Sequence, residues 1–243
     1  MKAKTVAILN LMVLMVSTPF LSKGVLADEP VAVHTRKTPN SVPAQKKSIS
    51  LPPLLKEVEA KYFKASTLIA DFIEADQSNT TKQTKKSSGK IQFKRPGKLH
   101  WETLKPDHNI LISDGKKFWF YTPPFDEGEA GQYIEKDASK VQTKFAQGLL
   151  AGTFSYNVSS GNMTVTQTNA TDFIVIPKKG TGGTVKQATL KVDPQQKLIT
   201  GVDLQHRGGN TSHITLSNIQ LGKPLDDSLF HFTPPPNTEQ MKD

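Results

Sequence analysis

Residue types that perform catalysis are present in this 243-residue chain, but their spacing matches none of the common sites. Asp71, Glu74 and Asp76 lie close together without forming a calcium-binding loop or an evident acid/base pair. The six histidines lack the spacing of metal ligands. The glycine-rich stretch 180–183 lies between two strand patterns, so it predicts a hairpin and not a phosphate site. We therefore expect a protein that is not an enzyme and that needs no metal and no cofactor.

Arg95 is the charged residue with the most informative position. In the preceding strand pattern Ile91 and Phe93 point to one face, and Arg95 shares their parity, so its guanidinium is directed to the apolar side. One interpretation is a β-bulge that returns the side chain to solvent. The other is an arginine at the rim of an apolar cavity, where it must donate hydrogen bonds to carbonyl groups of a covering helix, because an unpaired buried charge is very costly. The spacing leaves both interpretations open.

An aromatic hairpin lies at residues 113–124, SDGKKFWFYTPP. Asp-Gly between two extended runs predicts a two-residue type I′ turn at Asp114-Gly115, which places Leu111 opposite Phe118. An antiparallel sheet packed on one side is polar on the other side, whereas this pair is apolar on both. Either both faces are covered, which is the commoner outcome, or one face lines an apolar pocket. Parity does not decide which face lies inside: one carries Leu111, Phe118 and Phe120, and the other carries Ile110, Ile112, Trp119 and Tyr121.

The elements that must position these residues are mostly strands. From Leu68 onward apolar and polar residues alternate, and turn residues interrupt the alternation about every 8–12 positions, which is typical of an antiparallel sheet. No alternation of strand and helix signals occurs, so a doubly wound parallel fold is not expected. Eleven strands are predicted: Leu68–Gln77, Gly89–Lys94, Leu99–Glu102, Asn109–Ser113, Lys116–Tyr121, Gly131–Glu135, Met163–Thr168, Phe173–Pro177, Val185–Val192, Leu198–His206 and Ser212–Leu221.

Two segments have the apolar spacing of amphipathic helices. Pro52-Pro53 opens the first, and Lys and Glu residues lie opposite its apolar stripe. Asp137 is predicted to be the N-cap of the second, and Gly148 and Gly152 predict that this helix is short. The apolar positions are Leu54, Leu55, Val58 and Tyr62 in the first helix and Val141, Phe145 and Leu149 in the second.

Residues 1–27 have the pattern of a cleaved signal peptide. Lys2 and Lys4 precede an apolar run, and Val25-Leu26-Ala27 matches the end of a cleavage site. Residues 28–50 hold few bulky aliphatic side chains and predict a flexible tether, which leaves 51–243 as one domain.

Cleavage lowers the formal net charge from +9 to +6 through the loss of three lysines. The remaining lysines are spread along the chain, which argues against nucleic-acid binding, and without a cysteine to carry a lipid we expect a soluble, exported protein.

Two stretches together resemble the outer-membrane lipoprotein carrier family LolA: KRPGKLHWETLKPDHNILISDGKKFWFYTP at 94–123 and FHFTPP at 230–235. The resemblance covers the chain from about Leu51 to the C-terminus. It implies an α+β fold, an incomplete antiparallel β-barrel of about eleven strands covered by a helical lid. It also implies a monomeric periplasmic chaperone. Its cargo would be acylated lipoproteins, its donor an inner-membrane lipoprotein-releasing ABC transporter, and its acceptor an outer-membrane lipoprotein receptor.

The resemblance also implies roles for particular residues. The family's lid-locking arginine corresponds to Arg95, and Leu99 stands where an aromatic residue is familiar in the family. The lid helices would contribute the apolar positions given above. The acyl-chain cavity would be lined by Phe72, Ile91, Phe93, Leu99, Trp101, Leu111, Phe118 and Phe120.

Two other classes of function stay as alternatives. Related half-barrels can sense lipids or lipoproteins and bind a signalling partner, so a periplasmic regulatory binding module is one, although it would call for an additional domain. A secreted hydrolase is the other, and no nucleophile with a neighbouring base supports it.

Overall fold

The structure is a computed structural model that describes residues 51–138, 141 and 144–242. The predicted signal peptide and tether, residues 1–50, lie outside the described residues. In the described part of the chain there are three α-helices: α1 (Pro53–Ala65), α2 (Lys144–Leu150) and α3 (Ser155–Ser159).

Twelve strands in the described residues form a single sheet. They are β1 (Thr67–Gln77), β2 (Thr84–Lys94), β3 (Lys98–Lys105), β4 (Asn109–Asp114), β5 (Lys117–Thr122), β6 (Gly131–Asp137), β7 (Met163–Gln167), β8 (Asp172–Pro177), β9 (Val185–Asp193), β10 (Leu198–His206), β11 (Thr211–Leu221) and β12 (Thr238–Gln240). A short 3-10 helix covers Asp227–Phe230. All eleven predicted strands are present, and the twelfth, β12, was not predicted.

The strand order makes the sheet an open half-barrel. The order is β12-β6-β5-β4-β3-β2-β1-β11-β10-β9-β8-β7. Neighbours pair antiparallel throughout, except that β12 pairs parallel to β6. The long strand β1 pairs with β2 on one side and with β11 on the other, so it joins the two halves of the sheet. Among the described residues the edge strands β12 and β7 do not pair with each other, and the expected incomplete barrel is confirmed.

The hairpin between β4 and β5 differs from its predicted register. Leu111 lies opposite Phe120 and not opposite Phe118, which pairs with Ser113 instead. The two residues between the strands are therefore Gly115 and Lys116, and Gly115 has a φ of 93° that favours glycine. The Asp114 carboxylate accepts hydrogen bonds from the backbone N–H groups of Lys116 and Lys117, which draws Asp114 into the strand.

The second predicted helix begins later than expected. Asp137 is not its N-cap, because β6 continues to Asp137, where it pairs with Lys117 of β5. The backbone of Asp137 therefore pairs within the sheet and does not begin a helix. Helix α2 begins at Lys144, and Val141 is buried outside any helix.

Helix α1 forms where its sequence predicts. Proline occupies its first turn, and Ser66 ends it in the left-handed conformation with a φ of 61°. Leu55, Val58 and Tyr62 are buried along one stripe, whereas Leu54 is only half-buried.

Candidate functional site: the helix-covered face of the sheet

The register of the first strands places all eight predicted cavity residues on one face of the sheet. One row across five strands joins Ala70, Ile91, Trp101, Leu111 and Phe120. The next row joins Leu68, Phe93, Leu99, Ser113 and Phe118. Phe72 follows in a third row, opposite Gly89, and its ring centroid lies 4.7 Å from that of Trp101. These rows form a continuous apolar surface.

Gly89 and Ser113 lie in these rows although neither has a bulky apolar side chain. A Cβ on Gly89 would lie 1.9 Å from the Glu102 carbonyl oxygen and 2.9 Å from the Phe72 ring, so only glycine lets the ring lie there. Ser113 is fully buried, and its hydroxyl donates to the Lys117 carbonyl at 2.9 Å and accepts from the Gly115 N–H at 3.1 Å. The serine therefore stabilises the β4–β5 turn without leaving a polar group unpaired.

The opposite face of the aromatic hairpin is covered by the C-terminal segment. The Phe232 ring lies 5.4 Å from Tyr121, 5.3 Å from Tyr133 and 6.4 Å from Trp119, measured between ring centroids. Ile112, Trp119, Tyr121 and Phe232 form a buried cluster, and Tyr133 packs against it. Phe118 and Phe120 consequently lie on the helix-covered face, and Trp119 and Tyr121 lie on the other.

Two lysines hold this C-terminal segment at its 3-10 helix. Lys94 and Lys98 contact the Asp227 carboxylate at 2.9 Å and 2.7 Å. Hydrogen bonds from Lys98 and Lys94 lower the pKa of Asp227 to about 2. These exposed pairs contribute little stability by themselves, but they position the C-terminal segment that carries Phe232.

The second half of the sheet extends the same face. Ile214, Val202, Leu190 and Phe173 align across β11, β10, β9 and β8, and all four are buried. The predicted cavity residues do not include them, although their period-two alternation indicates a buried face. This row begins on β1 at Glu74.

Glu74 and Asp76 place two carboxyl groups at the polar end of this face. Burial raises the pKa of Glu74 to about 8, the charge of Asp76 adds to the rise, and a hydrogen bond with Ser87 opposes it. Burial also raises the pKa of Asp76, although the Ser212 hydroxyl donates to its carboxylate. His206 Nε2 lies 3.2 Å from the same hydroxyl, and burial lowers the pKa of this histidine. Asp76, Ser212 and His206 form a hydrogen-bonded cluster beside Glu74. Among the described residues no three His, Asp or Glu are grouped to hold a metal ion.

Helix α1 is anchored to the second half of the sheet. The Tyr62 hydroxyl accepts a hydrogen bond from the Ile199 N–H at 2.9 Å, and burial raises the pKa of Tyr62 to about 12. Glu57 forms an ion pair with Lys197, and Lys61 Nζ donates to the Gln196 carbonyl at 2.6 Å. All three contacts reach β10 or the turn before it.

The segment that contains α2 and α3 lies against α1. Glu59 of α1 accepts hydrogen bonds from the backbone N–H groups of Phe154 at 2.7 Å and Ser155 at 2.8 Å, and also from the Ser155 hydroxyl. Gly152 has a φ of 66°, and a Cβ there would lie 3.0 Å from the Tyr62 ring. The positive φ therefore favours glycine, and any larger residue would crowd the Tyr62 ring. These helices form what we call the lid: α1 and residues 144–159.

Arg95 bonds directly to the lid from the end of β2. Its Nη2 donates to the Ala151 carbonyl at 2.6 Å, and its guanidinium carbon lies 5.5 Å from the centre of the Phe63 ring. Burial lowers the pKa of Arg95, and the charge of Glu59 opposes that shift. The side chain is half-buried, and the β2–β3 ladder, which has a register shift between Ser88 and Gly89, is regular from Gly89 to Lys94.

The remaining lid positions meet beside a small cavity of about 220 Å³. Phe145 is half-buried and Leu149 is almost fully buried, and both line this cavity with Met163 of β7. The prediction missed Phe154, which is fully buried, and Glu59. No local signal marks Glu59, because its partners lie 95 and 96 residues further along the chain.

An open antiparallel sheet with an apolar face under a helical lid defines a class of half-barrel proteins. Within that class, a family model described as "Outer membrane lipoprotein carrier protein LolA" matches residues 63–233. The chain belongs to the LolA family, which consists of carriers and not of enzymes.

Curated relatives carry the same description. The chain is 31% identical over 192 residues to an outer-membrane lipoprotein carrier protein of Haemophilus influenzae (strain PittEE), which covers 79% of this chain and 88% of the relative. It is 31% identical over 183 residues to that of Actinobacillus succinogenes, which covers 75% of this chain and 83% of the relative. The crystal structure of a LolA superfamily protein from Nitrosomonas europaea is similar, with a TM-score of 0.43 and 10% identity, over 74% of this chain and 96% of the other.

None of the described helices is long and apolar enough to cross a membrane.

Proposed function

We propose that the protein carries lipoproteins through the periplasm by binding their acyl chains on the helix-covered face of the sheet. It would receive them from an inner-membrane lipoprotein-releasing ABC transporter and pass them to an outer-membrane lipoprotein receptor. The single observation that carries the proposal is the apolar face, which extends across the strands from Phe120 on β5, through Phe72 on β1, to Phe173 on β8. Apolar surface of this extent is costly to expose, and acyl chains are the ligands that would cover it when the lid opens.

Binding of acyl probes tests the first step. A fluorescent probe would be displaced from the purified protein by a series of alkyl chains of increasing length. Because each buried methylene contributes about 0.8 kcal/mol, affinity should rise about fourfold per methylene before it levels off. Affinity that does not depend on chain length would contradict a cavity for acyl chains.

Substitutions on the two faces locate the site. Phe118→Glu and Phe93→Glu place a charge on the helix-covered face and should weaken probe binding strongly. Ile73→Glu is the matched control, because Ile73 is 58% exposed on the opposite face of β1. Circular dichroism should show that the variants remain folded. Equal binding by the control and both phenylalanine variants would place the site elsewhere.

We propose Arg95 as the lid lock. Its hydrogen bond to the Ala151 carbonyl supports this role, since it joins the sheet to the end of α2. A charged hydrogen bond contributes about 1.5–3 kcal/mol, so Arg95→Leu should shift the balance toward the open lid about 10- to 150-fold. The variant should accept cargo from the donor but release it poorly to the acceptor. Arg95→Lys should be intermediate, because an ammonium lacks the planar fork.

Loading and release must be scored separately in the transfer assay. Arg207→Leu is the control, since Arg207 is exposed in the turn between β10 and β11. Release by Arg95→Leu at the rate of the unaltered protein would remove the lock from the mechanism. If the unaltered protein does not accept cargo from the donor, the carrier proposal itself is wrong.

Export to the periplasm is the remaining part of the proposal. Cleavage after Ala27 would leave a mature protein that begins at Asp28, with residues 28–50 as a tether to the carrier domain. The intact mass of the exported protein measures this. A mass that includes residues 1–27 would contradict it.

A further inference from the structure

We infer that Glu59 is a second latch of the lid, which couples α1 to the segment containing α2 and α3 through hydrogen bonds that Arg95 does not make. The inference rests on the proposed function only in treating the lid as the part that moves. Nothing in the sequence motifs of the family resemblance points to Glu59, and its importance follows from three hydrogen bonds that converge on one carboxylate.

The contacts of Glu59 are of the kind that hold a helix end in place. The backbone N–H groups of Phe154 and Ser155 lie at the start of α3, where they have no partner within that helix. Phe154 caps α3 but its side chain offers no hydrogen bond, so Glu59 supplies the acceptor from another element. A charged acceptor near a helix N-terminus is favourable, and the hydroxyl of Ser155 adds a third donor.

Glu59 and Arg95 hold opposite ends of the same turn. Arg95 reaches the carbonyl of Ala151, and Glu59 reaches the N–H groups only three and four residues later. One latch comes from the sheet and carries a positive charge, and the other comes from α1 and carries a negative charge. If Arg95 were the only latch, the α2–α3 segment could move relative to α1. With Glu59 in place, α1 and the α2–α3 segment move together unless the hydrogen bonds of Glu59 break.

The packing around Glu59 supports a coupled movement. Tyr62, one turn further along α1, lies against Gly152, so the two segments also touch in an apolar contact between the two latches. Tyr62 in turn bonds to Ile199 on β10. Opening of the α2–α3 segment alone would therefore leave α1 on the sheet and would expose the Glu59 carboxylate without its partners.

A distance measurement between the two lid segments tests the inference in the empty protein. The chain contains no cysteine, so spin labels can be attached at Lys64→Cys on α1 and Tyr156→Cys on α3, both exposed positions. Pulsed electron resonance then gives the distribution of distances between the labels. We expect one narrow distribution in the starting protein and a second, longer population in Glu59→Ala that is at least about tenfold larger than in the starting protein.

Glu57→Ala is the matched control. It removes a glutamate from the same helix, but one that pairs with Lys197 near the sheet and not with the α2–α3 segment. It should leave the distribution narrow. Glu59→Gln should be intermediate, because its amide oxygen still accepts a hydrogen bond without the negative charge. Arg95→Leu combined with Glu59→Ala should open the lid further than either change alone.

Two results would overturn the inference. One is a distribution in Glu59→Ala that matches that of Glu57→Ala. The other is a change in distance that occurs only together with loss of α1, seen as fast hydrogen exchange of its amides, since this would make Glu59 a residue of helix stability and not a latch. Because no cargo or lipid is present, these results do not depend on whether the face binds acyl chains, which the probe series decides separately.

Discussion

Glu74 is expected to lower the stability of the protein as the pH rises from about 5 to about 8. Its carboxyl group lies on the helix-covered face of β1, and burial is the main reason why its pKa is raised to about 8. The folded protein therefore keeps a proton on Glu74 at neutral pH, whereas the unfolded chain releases it. An acidic group of this kind contributes stability that is complete at low pH and is lost as the pH rises through the folded pKa.

The size of the effect follows from one proton. One proton taken up on folding changes the free energy of unfolding by about 1.4 kcal/mol per pH unit. Over the interval between the ordinary pKa of a glutamate and a pKa of about 8, the total loss amounts to a few kcal/mol. This is a large share of the stability of a domain, which is typically about 5–15 kcal/mol.

The assay compares unfolding in urea at a series of pH values for the starting protein and Glu74→Gln. Two neighbouring groups also shift. Burial raises the pKa of Asp76, which removes stability as the pH rises, and burial lowers the pKa of His206, which removes stability as the pH falls. The difference between the two proteins reports Glu74 together with its interaction with Asp76, and Glu74→Gln should gain stability relative to the starting protein as the pH rises. The control Glu127→Gln changes an exposed glutamate and should stay parallel to the starting protein. A difference that is constant with pH would refute the reasoning, because Glu74 would then ionise like an exposed glutamate.

Three further substitutions have expected results. Tyr62→Phe leaves the Ile199 N–H without a partner and should lower the free energy of unfolding by about 1–3 kcal/mol in urea denaturation. Phe232→Ala removes the ring that covers the outer face of the hairpin and should cost about 3–5 kcal/mol, with an increase in exposure that tryptophan fluorescence of Trp119 reports. Gly152→Val would be strained at the φ of 66° and would crowd Tyr62, so it should widen the label distance between α1 and α3. An unchanged distance would contradict the packing.

Local residue chemistry determines most of the sheet without information from tertiary contacts. Alternation predicted eleven strands, and the partition of the aromatic hairpin into two faces survived even though its turn was placed one residue too early. The reason is that side chains alternate with a period of two, so a shift of both strands by one residue changes the partners and keeps Leu111 and Phe120 on the same face.

The starts and ends of elements depended on partners elsewhere in the chain. Asp137 has the side chain of a helix N-cap, but pairing with Lys117 keeps it in β6, because the ladder of the sheet satisfies its backbone first. Strand β12 has little apolar content, and it forms because Thr238 pairs with Gly131 on the edge of β6. Neither competition is visible in a local window of sequence.

The candidate site shows the same division. The alternation of Ile91, Phe93 and Arg95 determined that an arginine lies on the side of the apolar residues, but only the folded chain decided that this side is the one beneath the lid. That decision depends on Phe232, which covers the opposite face from more than a hundred residues away, and on the Ala151 carbonyl that receives Arg95. Glu59 had no signal at all, because a glutamate on the polar side of a helix is ordinary until a second helix presents its free N–H groups to it. A local pattern determines which way a side chain points, and only tertiary packing decides what it meets there.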